Sequence, residues 1–302
     1  NSNELLFRLE PSAQVNDHWH VNARIDATTY MNTDSGDDNS DNAKLKRVYA
    51  QGDYKNFSTQ LGKFGLYTPE QGLVFDDEMS GANVTFGNAL KATIYAGRLD
   101  VSDDKGLYLK NYDQGTKKVL FNDDAANIQG ITLQYDVPTS KLSGGAAYYH
   151  LSSDGFKGLT GNNTLNAGVA YKNGANNSDE ANIWSLNLGY NFDGTSRISG
   201  AYAQNTEADN LDHSWQAFYN YKGAQAENKN TWGAYAGYRY LGTYTSIFGT
   251  QDAQVVGAKG WEVGADYTQF KNVVASAKYF NGKGIDSDRD VDTLWGRVQF
   301  FF

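Results

Sequence analysis

The chain is 302 residues long with no cysteine, 3 prolines, 32 glycines, 21 tyrosines, 15 phenylalanines and 6 tryptophans. A formal charge of -9 without any basic run excludes a phosphate-binding nucleic-acid partner, and the missing cysteine removes disulfides, thiolate metal sites and thiol nucleophiles together. Mean hydropathy is -0.61 and no segment approaches the roughly 20 apolar residues of a spanning helix, which excludes a helical membrane protein but not a barrel, whose strands show lipid only every second side chain.

The chain opens at Asn1 without a charged region leading into an apolar one, so a secretory signal is expected to have been removed or to lie upstream. A strand is predicted over 5 to 15, then a tight joint at Asn16 and Asp17. Next, Trp19, Val21, Ala23, Ile25 and Ala27 alternate with His18, His20, Asn22, Arg24, Asp26 and Thr28, giving one apolar and one polar face. A loop over 31 to 42, a tight joint at 53 to 56 and a strand from Phe57 precede a long loop over 65 to 80. Alternation resumes at 82 to 86 and 92 to 96, across the joint Gly87 and Asn88, and a loop covers 99 to 125. Strand 131 to 137 turns at Pro138; the segments 141 to 151 and 197 to 205 show no assignable faces. Within the loop 152 to 180, Leu165, Ala167, Val169 and Tyr171 alternate, but admitting them as a wall strand breaks the up-and-down parity unless a partner hides nearby. They are placed inside the loop.

From 181 to 192, Trp184, Leu186, Leu188, Tyr190 and Phe192 form an apolar face, followed by a turn at Asp193, Gly194 and Thr195 and a loop at 206 to 212. Three strands then share a pattern in which a Trp opens and a Tyr closes the apolar face: Trp215 to Tyr221, Trp232 to Tyr238 and Trp261 to Tyr267. Rings at both ends with small or aliphatic residues between are what two membrane interfaces select. Loops at 241 to 257 and 281 to 290 and a joint at 269 to 272 complete the alternation of short and long connections. The last strand sets Leu294, Gly296, Val298, Phe300 and Phe302 against Thr293, Trp295, Arg297, Gln299 and Phe301. Together these patterns predict one domain over 1 to 302, an all-β transmembrane antiparallel barrel with about fifteen strands in this chain and about sixteen in total, the other lying upstream. Eighteen is the alternative.

The stretch from Arg8 to Arg24, the strand end Gln60-Leu-Gly-Lys-Phe-Gly-Leu66 with its loop, and the final Trp295-Gly-Arg-Val-Gln-Phe-Phe-Phe302 resemble bacterial outer-membrane porins. The narrower resemblance is to the barrel of OmpM-type tether proteins, which carry an N-terminal SLH domain. It implies a homotrimer in a bacterial outer membrane, in contact with lipid and lipopolysaccharide, passing small hydrophilic solutes by diffusion. No SLH region lies in these residues, so a peptidoglycan contact would need a domain outside this sequence. Phe302, Phe300 and Val298 resemble the C-terminal signal read by barrel assembly machinery. In general porins the third outer loop folds inward and presents carboxylates, which points to Asp76, Asp77 and Glu78 as the acidic side of a constriction. The facing basic wall would be Arg8, Arg24, Arg47, Arg239 and Arg297, all in the inward register. The bland alternatives are a solvated acidic loop and arginines that only pair with Glu10 or Asp26. Tyr49, Tyr95 and Tyr235 offer a sugar-stacking track of the kind seen in sugar-selective porins.

Asp286, Asp288, Asp290 and Asp292 mimic a calcium loop, yet Val291 and Arg297 stand where glycine and glutamate are required. Only weakly bound Ca2+ in the outer loops remains as an expectation. Four histidines show no metal spacing, and no nucleophile elbow, phosphate loop or dinucleotide fingerprint appears, so no catalytic residue is expected. An outer-membrane barrel enzyme and a soluble carbohydrate-binding sandwich or propeller are the competing classes.

Overall fold

The computed structural model describes residues 3–31, 43–101, 111–112, 119–121, 125–153, 156, 160–162, 167–170, 179–249, 252–254 and 256–302. Period-two alternation rich in β-branched and aromatic residues sets the chain as strands. They are β1 (Glu4–Leu9), β2 (Ser12–Gln14), β3 (Trp19–Tyr30), β4 (Lys44–Asp53), β5 (Phe57–Tyr67), β6 (Asp76–Phe86), β7 (Leu90–Asp100), β8 (Asn111–Tyr112), β9 (Val119–Phe121) and β10 (Ala125–Tyr135). There follow β11 (Leu142–Ser152), β12 (Thr160–Asn162), β13 (Ala167–Ala170), β14 (Glu180–Asn191), β15 (Ser196–Asn205), β16 (His213–Lys222), β17 (Trp232–Leu241), β18 (Ala258–Phe270), β19 (Val273–Gly284) and β20 (Asp290–Phe300).

One antiparallel sheet of 16 strands runs β1-β3-β4-β5-β6-β7-β10-β11-β14-β15-β16-β17-β18-β19-β20, with β2 also on β3. A two-sheet sandwich and a propeller are thereby ruled out. Since β1 and β2 both lie along β3, they are two halves of one wall strand, broken at Glu10 and Pro11, where proline has no N–H to give to the ladder. The wall therefore makes one crossing fewer than its 16 strands, and β1 and β20 point the same way. A direct pairing of the two would be parallel. The ends of the sheet meet where the rings of Phe7 and Phe302 stack at 5.9 Å. The segment around Ala167 pairs β13 with β12 in a separate two-stranded sheet, so the count of sixteen stands; Leu165 and Tyr171 lie outside the described residues.

Alternation separates two environments. On β18 Trp261 is 65% exposed while its neighbour Glu262 is 1% exposed, and Leu188 on β14 is 60% exposed. Apolar groups turned outward in rows like this have no reason to exist in water but match a hydrocarbon surround. Rings gather at both edges of the apolar band. Toward the long connections, Trp184 packs on Tyr202 at 5.3 Å, and Tyr238 on both Trp215 and Trp261 at 5.2 Å. Toward the tight turns, Tyr221 meets Trp232 at 5.7 Å, with Tyr267 in register beside Trp232. One such turn is closed by Asp193, whose Oδ1 accepts from the Thr195 N–H and Oγ1 and from the Ser196 N–H. Those three donors hold its carboxyl below the usual carboxylate range.

The connection expected over 65 to 80 is shorter than that. The strands β5 and β6 continue to Tyr67 and Asp76, and only 68 to 75 forms the turn. The hairpin leaves the wall: β4 pairs with β5 only as far as Val48 and Lys63, and β6 with β7 only as far as Met79 and Leu99. The bend falls on three glycines in register, Gly62, Gly81 and Gly97. Gly62 has φ +123°, and a Cβ there would lie 2.5 Å from the Val48 carbonyl oxygen. Gly62→Ala is expected to destabilise the folded state by roughly 1–3 kcal/mol through this strain, seen as a lower thermal midpoint in detergent.

Candidate functional site

The inward hairpin crosses the lumen. Glu70, fully buried, accepts from Tyr149 Oη of β11 at 2.7 Å and Ser185 Oγ of β14 at 2.9 Å. Gln216 Nε2 of β16 donates to Gln71 at 3.0 Å. Phe64, Leu73, Val74, Phe75 and Met79 pack on the inward faces of the strands beneath, among them Tyr95, Leu99, Ile128, Tyr149 and Leu151. The lumen side of these strands is thus covered by the hairpin. That is why 141 to 151 and 197 to 205 show no clear polar face: Ala147, Tyr149, Leu151, Ala201 and Ala203 are apolar although they point inward. Glu70→Ala leaves two buried hydroxyls without their acceptor and is expected to cost about 1–3 kcal/mol each. Limited proteolysis at 68 to 75 in folded, detergent-solubilised protein should become faster.

Beside the hairpin lies a cavity of about 690 Å³ bounded by β1, β3, β4 and the opening residues of β6. Asp76, Asp77 and Glu78 all line it, although they begin a strand and do not sit in a loop. They share it with Arg8, Arg24 and Arg47. The charges alternate along a chain of contacts. Arg8 Nε donates to Asp26 Oδ1 at 2.9 Å and Arg24 Nη2 to Asp26 Oδ2 at 2.6 Å. Glu78 Oε1 then stands 3.5 Å from Arg24 Nη1 and 3.1 Å from Arg47 Nε. Arg24 and Arg47 therefore hold the inward hairpin to the wall, while Arg8 and Arg24 also take the Asp26 partnership of the blander reading. Gly65 makes room, since a Cβ there would touch the Arg47 guanidinium at 2.6 Å.

The other two arginines do not join this cluster. Arg239 on β17 pairs with Glu262 at 3.2 Å, donates to Gln216 at 3.0 Å and covers the Phe218 ring at 4.6 Å. Arg297 on β20 lies over Trp295 at 5.1 Å. Both face inward as the register predicts, but only three of the five expected arginines line the cavity with the acids, and of these Arg24 and Arg47 contact Glu78 while Arg8 contacts Asp26. The tyrosine track does not form: Tyr95 is buried against Tyr149, Tyr49 packs edge-on to Phe64, and Tyr235 donates to Glu262. Glu70, which fastens the hairpin, is a residue that sequence reasoning misses; nothing in its local pattern marks a carboxylate that will bond two strands 79 and 115 residues away. The aspartates after 285 are spread out, with Asp286 accepting from Asn210 and Asp290 3.8 Å from Lys283. Among the described residues no three His, Cys, Asp or Glu gather as a metal site.

Solved structures share this fold. A porin of Rhodopseudomonas blastica, solved as a triple mutant, is 14% identical with a TM-score of 0.52, covering 100% of this chain and 91% of that one. OprB of Pseudomonas putida is 12% identical with a TM-score of 0.61, covering 99% and 88%. OmpF of Salmonella typhi, solved in complex with daunomycin, is 14% identical with a TM-score of 0.58, covering 100% and 91%. No protein-family model matches the sequence, and no relative is found among curated proteins. The likeness establishes a porin-type barrel fold with 16 antiparallel strands.

Proposed function

We propose that this porin-fold chain is a bacterial outer-membrane channel, through which small hydrophilic solutes and ions diffuse passively and at which no catalysis occurs. One observation carries the reading: an inward hairpin brings Asp76, Asp77 and Glu78 into one cavity with Arg8, Arg24 and Arg47, with Glu78 in contact with Arg24 and Arg47. Opposed charges at a narrowing sort solutes by size and dipole, which is what a diffusion channel requires. A polar molecule can align with the charged groups that line the cavity, whereas an apolar one must displace their water without return.

The narrower elements of the reading are a trimeric assembly of the OmpM type, lipopolysaccharide around the outer belt, and peptidoglycan contact only through a domain outside these residues. In it, Phe300, Val298 and Phe302 serve as the assembly signal. Support for that last point is the exposure of Phe302 beyond the end of β20, where its ring leans on Phe7. Proteoliposome swelling tests the channel: uptake of neutral sugars should decline smoothly with size, and vesicles carrying the chain but impermeable to all of them would refute it.

A further inference from the structure

We propose that the connection between β17 and β18 is the second jaw of the constriction, with Phe248 positioning the acidic segment from the far side; this rests on the channel reading. Tyr244, Thr245, Ser246 and Ile247 of that connection are buried inside the barrel mouth. The segment is tied to the rim: Asn205 Nδ2 donates to the Tyr244 carbonyl at 2.8 Å, Thr245 Oγ1 to the Asp212 carbonyl at 2.5 Å, and Ser246 Oγ to Ser214 Oγ at 2.9 Å. From this anchored base Phe248 reaches the hairpin of β5 and β6 and forms a parallel bridge with Phe75. Its N–H donates to the Val74 carbonyl at 2.9 Å, its carbonyl accepts from the Asp76 N–H at 2.6 Å, and the two rings lie 6.3 Å apart.

The place of this bridge gives it a role. On one edge β6 loses its wall neighbour at Met79, because β7 pairs no further. Phe248 takes up that edge at Asp76, the first of the three acids. The acidic segment is therefore held on the β5 side by the hairpin ladder, at Glu78 by contact with Arg24 and Arg47, and on its remaining edge by the second connection. Glu70 and Gln71 fasten the tip of the hairpin, but without Phe248 the edge of β6 at Asp76 would lose the backbone bridge that fixes the acidic end of the strand. Both the bore and the charge facing the cavity then depend on a segment more than 160 residues from the acids (Asp76 and Phe248 being 172 apart).

The test uses the full chain in two variants. Phe248→Pro deletes the N–H given to Val74 and the ring together; Phe248→Ala deletes the ring alone and serves if the proline variant does not fold. Single-channel conductance is expected to rise by about half or more, and charge preference to fall about twofold, because a looser jaw widens the narrowing and unfixes its charge. Phe248→Tyr should behave as the parent. A nitroxide at Asp77→Cys supplies a readout independent of conduction, and its mobility should increase about twofold in Phe248→Ala. Unchanged label mobility and unchanged conductance would overturn the jaw. Increased label mobility in Phe248→Ala, together with a parent that never conducts, would uphold the jaw and overturn the channel reading.

Discussion

Replacing Asp76, Asp77 and Glu78 by Asn, Asn and Gln is expected to move the reversal potential under a salt gradient toward anion preference. At about 8 Å, a fixed charge acts on a passing ion by roughly 0.5–2 kcal/mol for an effective dielectric between water and protein surface. One kcal/mol is about fivefold in an equilibrium ratio, so losing three negative charges should change the cation-to-anion permeability ratio by at least about fivefold. Glu78 matters most among them, because it stands 3.1 Å from Arg47 and 3.5 Å from Arg24, and neutralising it removes the negative charge that faces both guanidinium groups. The converse change is a built-in control. Arg47→Gln should shift selectivity the other way, toward cations. Equal selectivity in the parent, the triple variant and Arg47→Gln would show that ions do not pass this cavity, while leaving the barrel untouched.

The second large effect concerns the outer face. Leu186→Arg places a charge between the belts marked on β14 by Trp184 and Tyr190, where lipid leaves it no partner; Leu186 is 52% exposed there. A guanidinium near the bilayer midplane costs about 2–4 kcal/mol in a membrane barrel. Combined with Val263→Arg on β18, the penalty should prevent assembly, read as loss of the heat-modifiable folded band on gels. Asn187→Arg, one position along the strand, projects into the lumen beside Gln134 and should assemble normally. If Leu186→Arg and Asn187→Arg assembled equally well, the outward face would not be in contact with lipid.

The contrast between these two residues also separates what the amino-acid pattern discloses from what it hides. Alternation fixes which side of each strand is apolar, and the ordered rings of 215 to 267 mark the two edges of the band. Those are local properties, and β14, β16, β17, β18 and β20 follow them. The acidic segment is legible in the sequence as a cluster of charge, but its setting is not: it opens a strand because Tyr67 and Asp76 pair directly. What stays hidden depends on contacts between distant parts of the chain. Glu70 reaches β11 and β14, Phe248 reaches Phe75, and both dry a lumen face that alternation alone would assign to water. Arg239 and Arg297 illustrate the same limit, since register places them inward but only closure of the sheet decides which partner each meets.

Conductance of the detergent-purified chain added to a planar lipid bilayer tests the core of the account most directly. Discrete upward current steps of uniform size, which remain open at low voltage, are the expected record. A bilayer that stays electrically silent while the same preparation inserts as folded barrel would contradict a water-filled path through this protein.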